Sequence, residues 1–297
     1  MTGSAAAVVP LNGVELCLQR YGNPEDPTIL LIGGASTSMD MWPPALCGRL
    51  AAAGRCVVRY DLRDTGRSTS YGAGAATYTL ADLVTDAVAI LDHLQIRQAH
   101  LVGMSMGGVL AQLVAVGHPE RVGTLTLIST TPALPGSTER DLPDMAAADQ
   151  QAFAAVPPPD WSDPISTVEY LVEQERLCAA RSVPFDSEHV RAIMQATVAR
   201  TPDPPAMENH FDLDFTTSGS GRLADIVAPT LVVHGDEDPV FPLAHGQALA
   251  EEILGARLMV ISRLGHEIPP RIWDDLVAAV VRHTTPPRLG GRVSEPR

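Results

Sequence analysis

One serine of this chain lies between two glycines in a G-x-S-x-G pattern, Gly103-Met104-Ser105-Met106-Gly107. The pattern follows a short apolar run at 99–103 and opens a helical run at 107–116, which is the strand–turn–helix setting that a serine nucleophile requires. The serine must adopt a strained turn, and a side chain two positions before or after it would collide with neighbouring backbone. We therefore predict that Ser105 is a nucleophile and that the Met106 amide, at the start of the helix, stabilises an oxyanion.

A serine nucleophile needs a histidine base and a carboxylate that holds the imidazole in one tautomer. The usual order along such a chain is Ser, then Asp or Glu, then His. Among the nine histidines, His266 combines this order with a loop after the last apolar run, 257–261. Two aspartates follow the apolar run 230–234, and we favour Asp238 over Asp236. Asp238 lies further into its loop and precedes a proline that stiffens the backbone, whereas Asp236 is suited to bonding its own turn.

A second amide for the oxyanion is expected from the loop that follows the apolar run 28–32. Gly34 is the predicted donor, and Ala35 is the alternative if the register differs by one residue. A serine, a histidine, an aspartate and two amides are sufficient for acyl transfer, so neither a cofactor nor a metal is expected. The four cysteines, at 17, 47, 56 and 178, form no C-x-x-C pair and lie at no metal-binding spacing from a histidine.

The charge of the chain narrows the classes of partner. Its 297 residues carry a net charge of −14, and every basic residue is an arginine. This negative charge disfavours binding to nucleic acid or to an anionic membrane, because like charges repel. No apolar stretch approaches the length of a membrane span. The scattered cysteines, together with a first segment that is a poor signal peptide, predict a soluble protein of the reducing cytoplasm.

The elements that must position these residues alternate along the chain. Short apolar runs are typical of buried parallel strands, and they occur at 28–32, 56–60, 99–103, 125–128, 230–234 and 257–261. Helical patterns lie between them, and the clearest, 79–94, begins with a capping box of Thr79 and Asp82. This alternation predicts an α/β fold with a mostly parallel central sheet and helices on both of its faces.

The alternation lapses after Ser129, and residues 132–221 are rich in Pro, Asp and Ala. Helical patterns appear there at 166–181 and 187–200. Because a structureless loop of that length is implausible in a compact domain, we predict an inserted helical cap at 132–221. The core then consists of 1–131 and 222–285, and the tail at 286–297 is expected to be mobile.

Several segments carry a resemblance to a known family. The chain resembles the α/β-hydrolase superfamily over nearly its whole length, and within it the aclacinomycin methylesterase type of serine esterase, from actinomycete polyketide tailoring. The match within the insertion is the more selective, because this part varies most in the superfamily. The segments are Tyr60–Ser68 (YDLRDTGRS), Val102–Gly108 (VGMSMGG), Val183–Asp186 (VPFD) and Ala228–Val233 (APTLVV). Two departures from the family pattern are a loop at 34–42 about one residue longer and an Asp-containing stretch at 212–221.

The resemblance implies hydrolysis of a small hydrophobic carboxylic ester, such as the methyl ester of an apolar metabolite. The catalytic Ser, Asp and His of the family fall on Ser105, Asp238 and His266, and its oxyanion amides fall on Gly34 and Met106. Two other hypotheses stay open. The same triad can serve cofactor-free perhydrolysis or carbon–carbon bond cleavage, and the chain can also be a non-catalytic binding module with a vestigial site.

Overall fold

A mostly parallel sheet of eight strands forms the centre of this protein. The computed structural model describes residues 3–134, 141–215 and 221–285. The strand order is β1-β2-β4-β3-β5-β6-β7-β8, in which β1 and β2 are antiparallel to their neighbours and the remaining pairs are parallel. The strands are β1 (Ala7–Leu11), β2 (Val14–Tyr21), β3 (Thr28–Ile32), β4 (Cys56–Tyr60), β5 (Ala99–Met104), β6 (Val122–Ile128), β7 (Thr230–Gly235) and β8 (Arg257–Ile261).

All six predicted apolar runs form strands, and the predicted mostly parallel sheet is confirmed. β6 begins at Val122, before the run that predicted it. The sequence analysis did not predict the hairpin of β1 and β2, which adds two antiparallel strands at one edge. Its turn is Asn12-Gly13, with φ angles of 51° and 78°. Asn-Gly between two apolar segments is a strong hairpin signal, because both residues accept positive φ.

Helices cover both faces of the sheet. On one face, α2 (Leu80–His93), α3 (Met106–Gly117) and α7 (Ala244–Glu252) share an apolar core with the strands. On the other, α1 (Pro44–Ala52) and α8 (Trp273–His283) pack over a second core. The predicted capping box of α2 is confirmed, because the Asp82 amide donates to the Thr79 side chain and the Thr79 amide donates to the Asp82 carboxylate.

The chain between β6 and β7 contains helices and irregular loops, and no strand, in the parts that the structure describes. It forms α4 (Ala147–Ala155), α5 (Pro164–Cys178), α6 (Ser187–Arg200) and a 3₁₀ segment, Pro204–Asp212. Helices α5 and α6 pack against each other through an apolar cluster of their own. The limits of the cap remain a prediction. The predicted mobile tail at 286–297 and half of the stretch 212–221 lie outside the described residues.

Polar contacts tie α6 to the core beneath it. The Arg200 guanidinium forms ion pairs with Asp40 and Asp61, and the Asp61 side chain is fully buried. The hydroxyls of Ser38 and Thr197 lie 2.9 Å apart in a buried hydrogen bond. These contacts attach the inserted segment to the loop after β3 and to the end of β4. In the three ranges described above, no helix is both long and apolar enough to cross a membrane.

Candidate active site

Ser105 occupies a sharp turn between β5 and α3. Its backbone has φ 54° and ψ −123°, a strained conformation for a residue other than glycine. A Cβ on Gly103 would overlap the carbonyl of Gly107, and a Cβ on Gly107 would overlap the carbonyl of Ile32. The Ser105 carbonyl accepts a hydrogen bond of 2.8 Å from the Thr130 hydroxyl. The turn is therefore held by close backbone approach on both sides, as the sequence analysis predicted for the glycines.

His266 and Asp238 form a buried hydrogen-bonded pair, although 28 residues separate them. The Nδ1 of His266 lies 2.9 Å from Oδ2 and 3.2 Å from Oδ1 of Asp238. Both residues are largely buried, with 8% and 5% of their surface exposed. Burial opposes ionisation of Asp238, yet the imidazole of His266 and the hydrogen bond from the Phe241 amide hold its pKa below the usual value. An ionised Asp238 orients the imidazole so that Nδ1 carries a proton and Nε2 is free to accept one.

The loop after β7 holds the Asp238 carboxylate in place. Oδ1 of Asp238 accepts hydrogen bonds of 2.9 Å from the amides of both Val240 and Phe241. His234, at the end of β7, donates from Nε2 to the Phe241 carbonyl at 2.8 Å. Its Nε2 also lies 3.6 Å from Oδ2 of Asp238. His234 is therefore a neighbour that supports the acid loop, a role that only the folded chain reveals.

Asp236 is engaged elsewhere. Its Oδ1 accepts a hydrogen bond of 2.6 Å from the Arg263 amide, and the residue is exposed at the surface. This bond ties the turn after β7 to the turn after β8. The structure therefore brings Asp238, and not Asp236, to the imidazole of His266.

The loop that carries His266 rests on the end of α5. The His266 amide donates to the Cys178 carbonyl at 2.8 Å. Gly265 passes so close to that helix end that a Cβ would overlap the Cys178 carbonyl. The Phe241 ring packs edge-on against the imidazole, with the ring centres 5.6 Å apart. The orientation of the imidazole therefore depends on contacts from both the core and the inserted segment.

The loop after β3 lies beside Ser105. A Cβ on Gly34 would come within 3.4 Å of the Ser105 Cβ, and both Gly34 and Ala35 line the cavity that contains Ser105. The Gly34 amide, however, donates to the sulfur of Met41 at 3.1 Å. Within the described ranges, no group accepts a hydrogen bond from the Ala35 amide. Met106 is the first residue of α3, so its amide has no acceptor within the helix.

The inserted segment also fixes this loop. Ser36 has a positive φ of 54°, and its amide donates to Nδ1 of His210 at 3.0 Å. The Nε2 of His210 donates in turn to the Arg63 carbonyl at 2.8 Å. Burial lowers the pKa of His210 to about 4, so the ring is neutral at pH 7 and able to accept from the Ser36 amide. His210 was assigned to the cap in the sequence analysis but given no role.

Ser105 and His266 both line one cavity of about 340 Å³ between the sheet and the inserted segment. A cavity of this size is within the range of small-molecule sites. Most of its wall is apolar, and the inserted segment supplies Phe153, Leu171, Phe185, Val190, Ile193 and Met194. Across the residues with described positions, no cluster of three or more His, Cys, Asp or Glu side chains could hold a metal ion.

The comparison with known proteins agrees with this architecture. Residues 27–269 match a family described as the alpha/beta hydrolase fold. The chain belongs to the α/β-hydrolase family. This α/β hydrolase is 37% identical to rhodomycin D methylesterase DauP of Streptomyces sp. (strain C5). The match covers 91% of this chain and 95% of that relative. The chain is 35% identical, with the same coverage, to rhodomycin D methylesterase DnrP of Streptomyces peucetius.

A solved structure shows the same fold. A hydrolase from Pseudomonas aeruginosa PA01 is 27% identical to this α/β hydrolase and superposes with a TM-score of 0.68. The match covers 94% of this chain and 98% of that one. The resemblance inferred from the sequence motifs is therefore confirmed at the level of the family and of the methylesterase-type relatives.

Proposed function

We propose that this α/β hydrolase cleaves a carboxylic ester through an acyl-enzyme, with Ser105 as nucleophile, His266 as general base and acid, and Asp238 as the carboxylate that orients the imidazole. The assignment as a carboxylic ester hydrolase rests on the sequence similarity to two methylesterases over nine-tenths of the chain. The residue roles rest mainly on one observation. The buried His266–Asp238 pair lies at the cavity that Ser105 also lines.

In the proposed reaction, Oγ of Ser105 attacks the ester carbonyl while Nε2 of His266 accepts the hydroxyl proton. The tetrahedral intermediate collapses, and His266 returns the proton to the departing alkoxide, which leaves as the alcohol. Water then attacks the acyl-enzyme and gives a proton to His266. Collapse of the second intermediate breaks the bond to Ser105, which recovers its proton, and the carboxylic acid is released. Asp238 stays ionised throughout and stabilises the imidazolium.

Two amides are proposed to stabilise the oxyanion. The Met106 amide is one, because the start of α3 directs its partial positive charge toward Ser105. For the other, Gly34 is the sequence-based choice, but an oxyanion would have to displace the Met41 sulfur from the Gly34 amide. The free amide of Ala35 faces no such competitor, which favours the alternative. Loss of one such donor typically lowers the rate about 10²–10³-fold.

The proposed substrate is a small-alcohol ester of an apolar acid, such as a methyl ester. The apolar cavity wall supports an apolar acyl group, and the two methylesterase names support the small alcohol. In this proposal the segment 132–221 acts as a cap that covers the cavity. All four cysteines are free thiols, which supports the proposed location in the reducing cytoplasm.

A labelling and turnover experiment tests the proposal. Purified wild type is incubated with a fluorophosphonate probe, and the adduct is located by peptide mass spectrometry. The same preparation is assayed on methyl esters of apolar acids of increasing length, with and without hydrogen peroxide. We expect an adduct on Ser105 and release of the free acid. Absence of labelling would favour the binding-module hypothesis, and peracid formation faster than hydrolysis would favour perhydrolysis.

A further inference from the structure

Carboxyl groups dominate the ionisable lining of the cavity. Four acids line it, one from α5, one from the start of α6, one from the 3₁₀ segment and one beside His266. They are Glu175, Asp186, Glu208 and Glu267. No arginine is among the lining residues that the structure describes, and the chain contains no lysine. The other ionisable groups on the described part of the wall are Tyr170, Cys178 and the two histidines, His189 and His266.

Three of these acids have partners within the protein. Asp186 caps α6, because its Oδ1 accepts from the His189 amide at 3.1 Å. Glu208 accepts from the Tyr170 hydroxyl at 3.0 Å. Glu267 accepts from the Arg271 guanidinium at 2.9 Å. Their positions are therefore explained by local structure.

Glu175 is different. It lies on α5 and is half-buried at the cavity wall, and no donor among the described residues forms a hydrogen bond with its carboxyl. Burial raises the pKa of Glu175 to about 7; the nearby His266 opposes this rise and the carboxylate of Glu267 adds to it. The group therefore changes charge within the neutral range, on the wall of the cavity that Ser105 also lines.

We propose that Glu175 makes the cavity charge-selective, so that it accepts neutral or cationic esters and discriminates against esters that carry a carboxylate. This inference rests on the proposed function and names the substrate class of the same site. A substrate anion would meet the Glu175 carboxylate in a poorly solvated space whose described lining contains no arginine or lysine to compensate it. A neutral ester meets no such repulsion. The carboxylate of the product would be repelled by Glu175, and this repulsion favours release of the product after hydrolysis.

Glu175 is surrounded by groups that could also sense pH, and they come from each neighbouring element. His266 and Glu267 face it from the loop after β8 and Cys178 from its own helix, while Asp186, His189 and Glu208 line the same cavity. A test must therefore separate Glu175 from the protonation of His266. The ratio of two substrates does so, because a change in the base alters the turnover of both substrates alike.

The experiment uses dimethyl adipate and monomethyl adipate, which share a chain length and differ by one carboxylate. The ratio of kcat/KM, neutral to anionic, is measured from pH 6 to pH 8 in wild type, Glu175→Gln and Glu173→Gln. Glu173 lies on the same helix, pairs with Arg176 and does not line the cavity, so it matches the change in net charge. We expect the wild-type ratio to rise as pH passes through 7. In Glu175→Gln it should be roughly tenfold lower at pH 8, as for loss of one nearby like charge, and independent of pH. Glu173→Gln should match wild type.

An equal ratio in wild type and Glu175→Gln, with no dependence on pH, would overturn the inference. If Glu175→Gln does not fold, the wild-type ratio alone tests the inference: a rise through pH 7 supports it, and a constant ratio contradicts it. Calorimetric binding of both esters to Ser105→Ala separates this inference from the proposed function. Preference for the diester in binding, without turnover by wild type, would contradict only the proposed function. Equal binding and equal turnover of the two esters would contradict only the charge selectivity.

Discussion

The imidazole of His266 faces both carboxylate oxygens of Asp238, with Nδ1 at 2.9 Å from Oδ2 and at 3.2 Å from Oδ1. Asp238 is itself held by the amides of Val240 and Phe241. The carboxylate is therefore held on one side by two backbone amides and on the other by the imidazole. This relationship is the basis of the first two predictions.

Replacement of Ser105 by alanine should abolish ester turnover and leave the fold intact. Alanine inherits the same backbone strain, and no hydrogen bond of the Ser105 hydroxyl to a described residue is lost. Loss of the nucleophile in comparable triads lowers kcat by about 10⁶-fold. Steady-state assays on a methyl ester, with thermal unfolding as the check on folding, measure both effects. Ser187→Ala, at an exposed serine on α6, is the matched control and should keep wild-type turnover. Near-normal turnover by Ser105→Ala would contradict the assigned nucleophile.

Asparagine substitutions separate the two candidate acids. Asp238→Asn should lower kcat by about 10⁴-fold, because an amide cannot hold the imidazole in the required tautomer. Asp236→Asn should change kcat little, since Asp236 bonds the Arg263 amide and not the histidine. The two variants are isosteric with wild type and remove the same charge. The reverse ranking in parallel kinetic assays would show that the acid is misassigned.

Gly107→Ala should impair both stability and activity. The added Cβ would overlap the carbonyls of Ile32 and Gly33, and relief of such overpacking typically costs about 1–3 kcal/mol. It would also displace the Ser105 turn from the loop after β3. Gly117→Ala is the matched control on the same helix, because nothing lies within 4 Å of its added Cβ. Urea unfolding should show Gly117→Ala to be as stable as wild type or more so, and equal stability of both variants would argue against the close approach.

The contribution of His210 to stability should fall as the pH is lowered from about 6.5 to about 4. Burial lowers the pKa of His210 to about 4 in the folded protein, whereas the unfolded chain takes up a proton near pH 6.5. Protons therefore favour the unfolded state in this window, by at most ~3 kcal/mol for this one residue. His100, also with a lowered pKa of about 4, acts in the same direction.

Urea unfolding at several pH values measures this slope. His210→Gln should flatten it, because the buried titrating group is gone. His93→Gln, at an exposed position on α2, should leave the wild-type slope. A slope in His210→Gln equal to that of wild type would contradict the prediction.

Much of the sheet was predictable from local sequence. Cys56–Tyr60 and Arg257–Ile261 begin and end where their apolar runs do, because a Gly, Asp or turn residue ends each run near the sheet edge. Helix α1 and the first hairpin were not predicted. Both carried readable signals: Asn12-Gly13 for the turn, and the spacing of Leu46, Cys47 and Leu50 for the buried face of α1.

The fine geometry of the site was not predictable in the same way. The motif and the chain order were enough to select Ser105, Asp238 and His266 as candidates. The bond from the Gly34 amide to the Met41 sulfur depends on how one loop folds back on itself. The place of Glu175 on the cavity wall depends on the packing of α5 over the sheet. Sequence periodicity carries no information about such contacts between distant segments.

The hydrogen bond from the Ser36 amide to His210 has an evolutionary consequence. In the proposed reaction, the segment that would contact the substrate also braces the loop beside the developing negative charge. Exchange of the insertion between relatives would therefore alter the rate of bond cleavage along with the choice of ester, unless the transferred insertion also carries a histidine equivalent to His210. New specificities in this lineage are expected to arise more easily by changing side chains within the existing insertion than by grafting a foreign one.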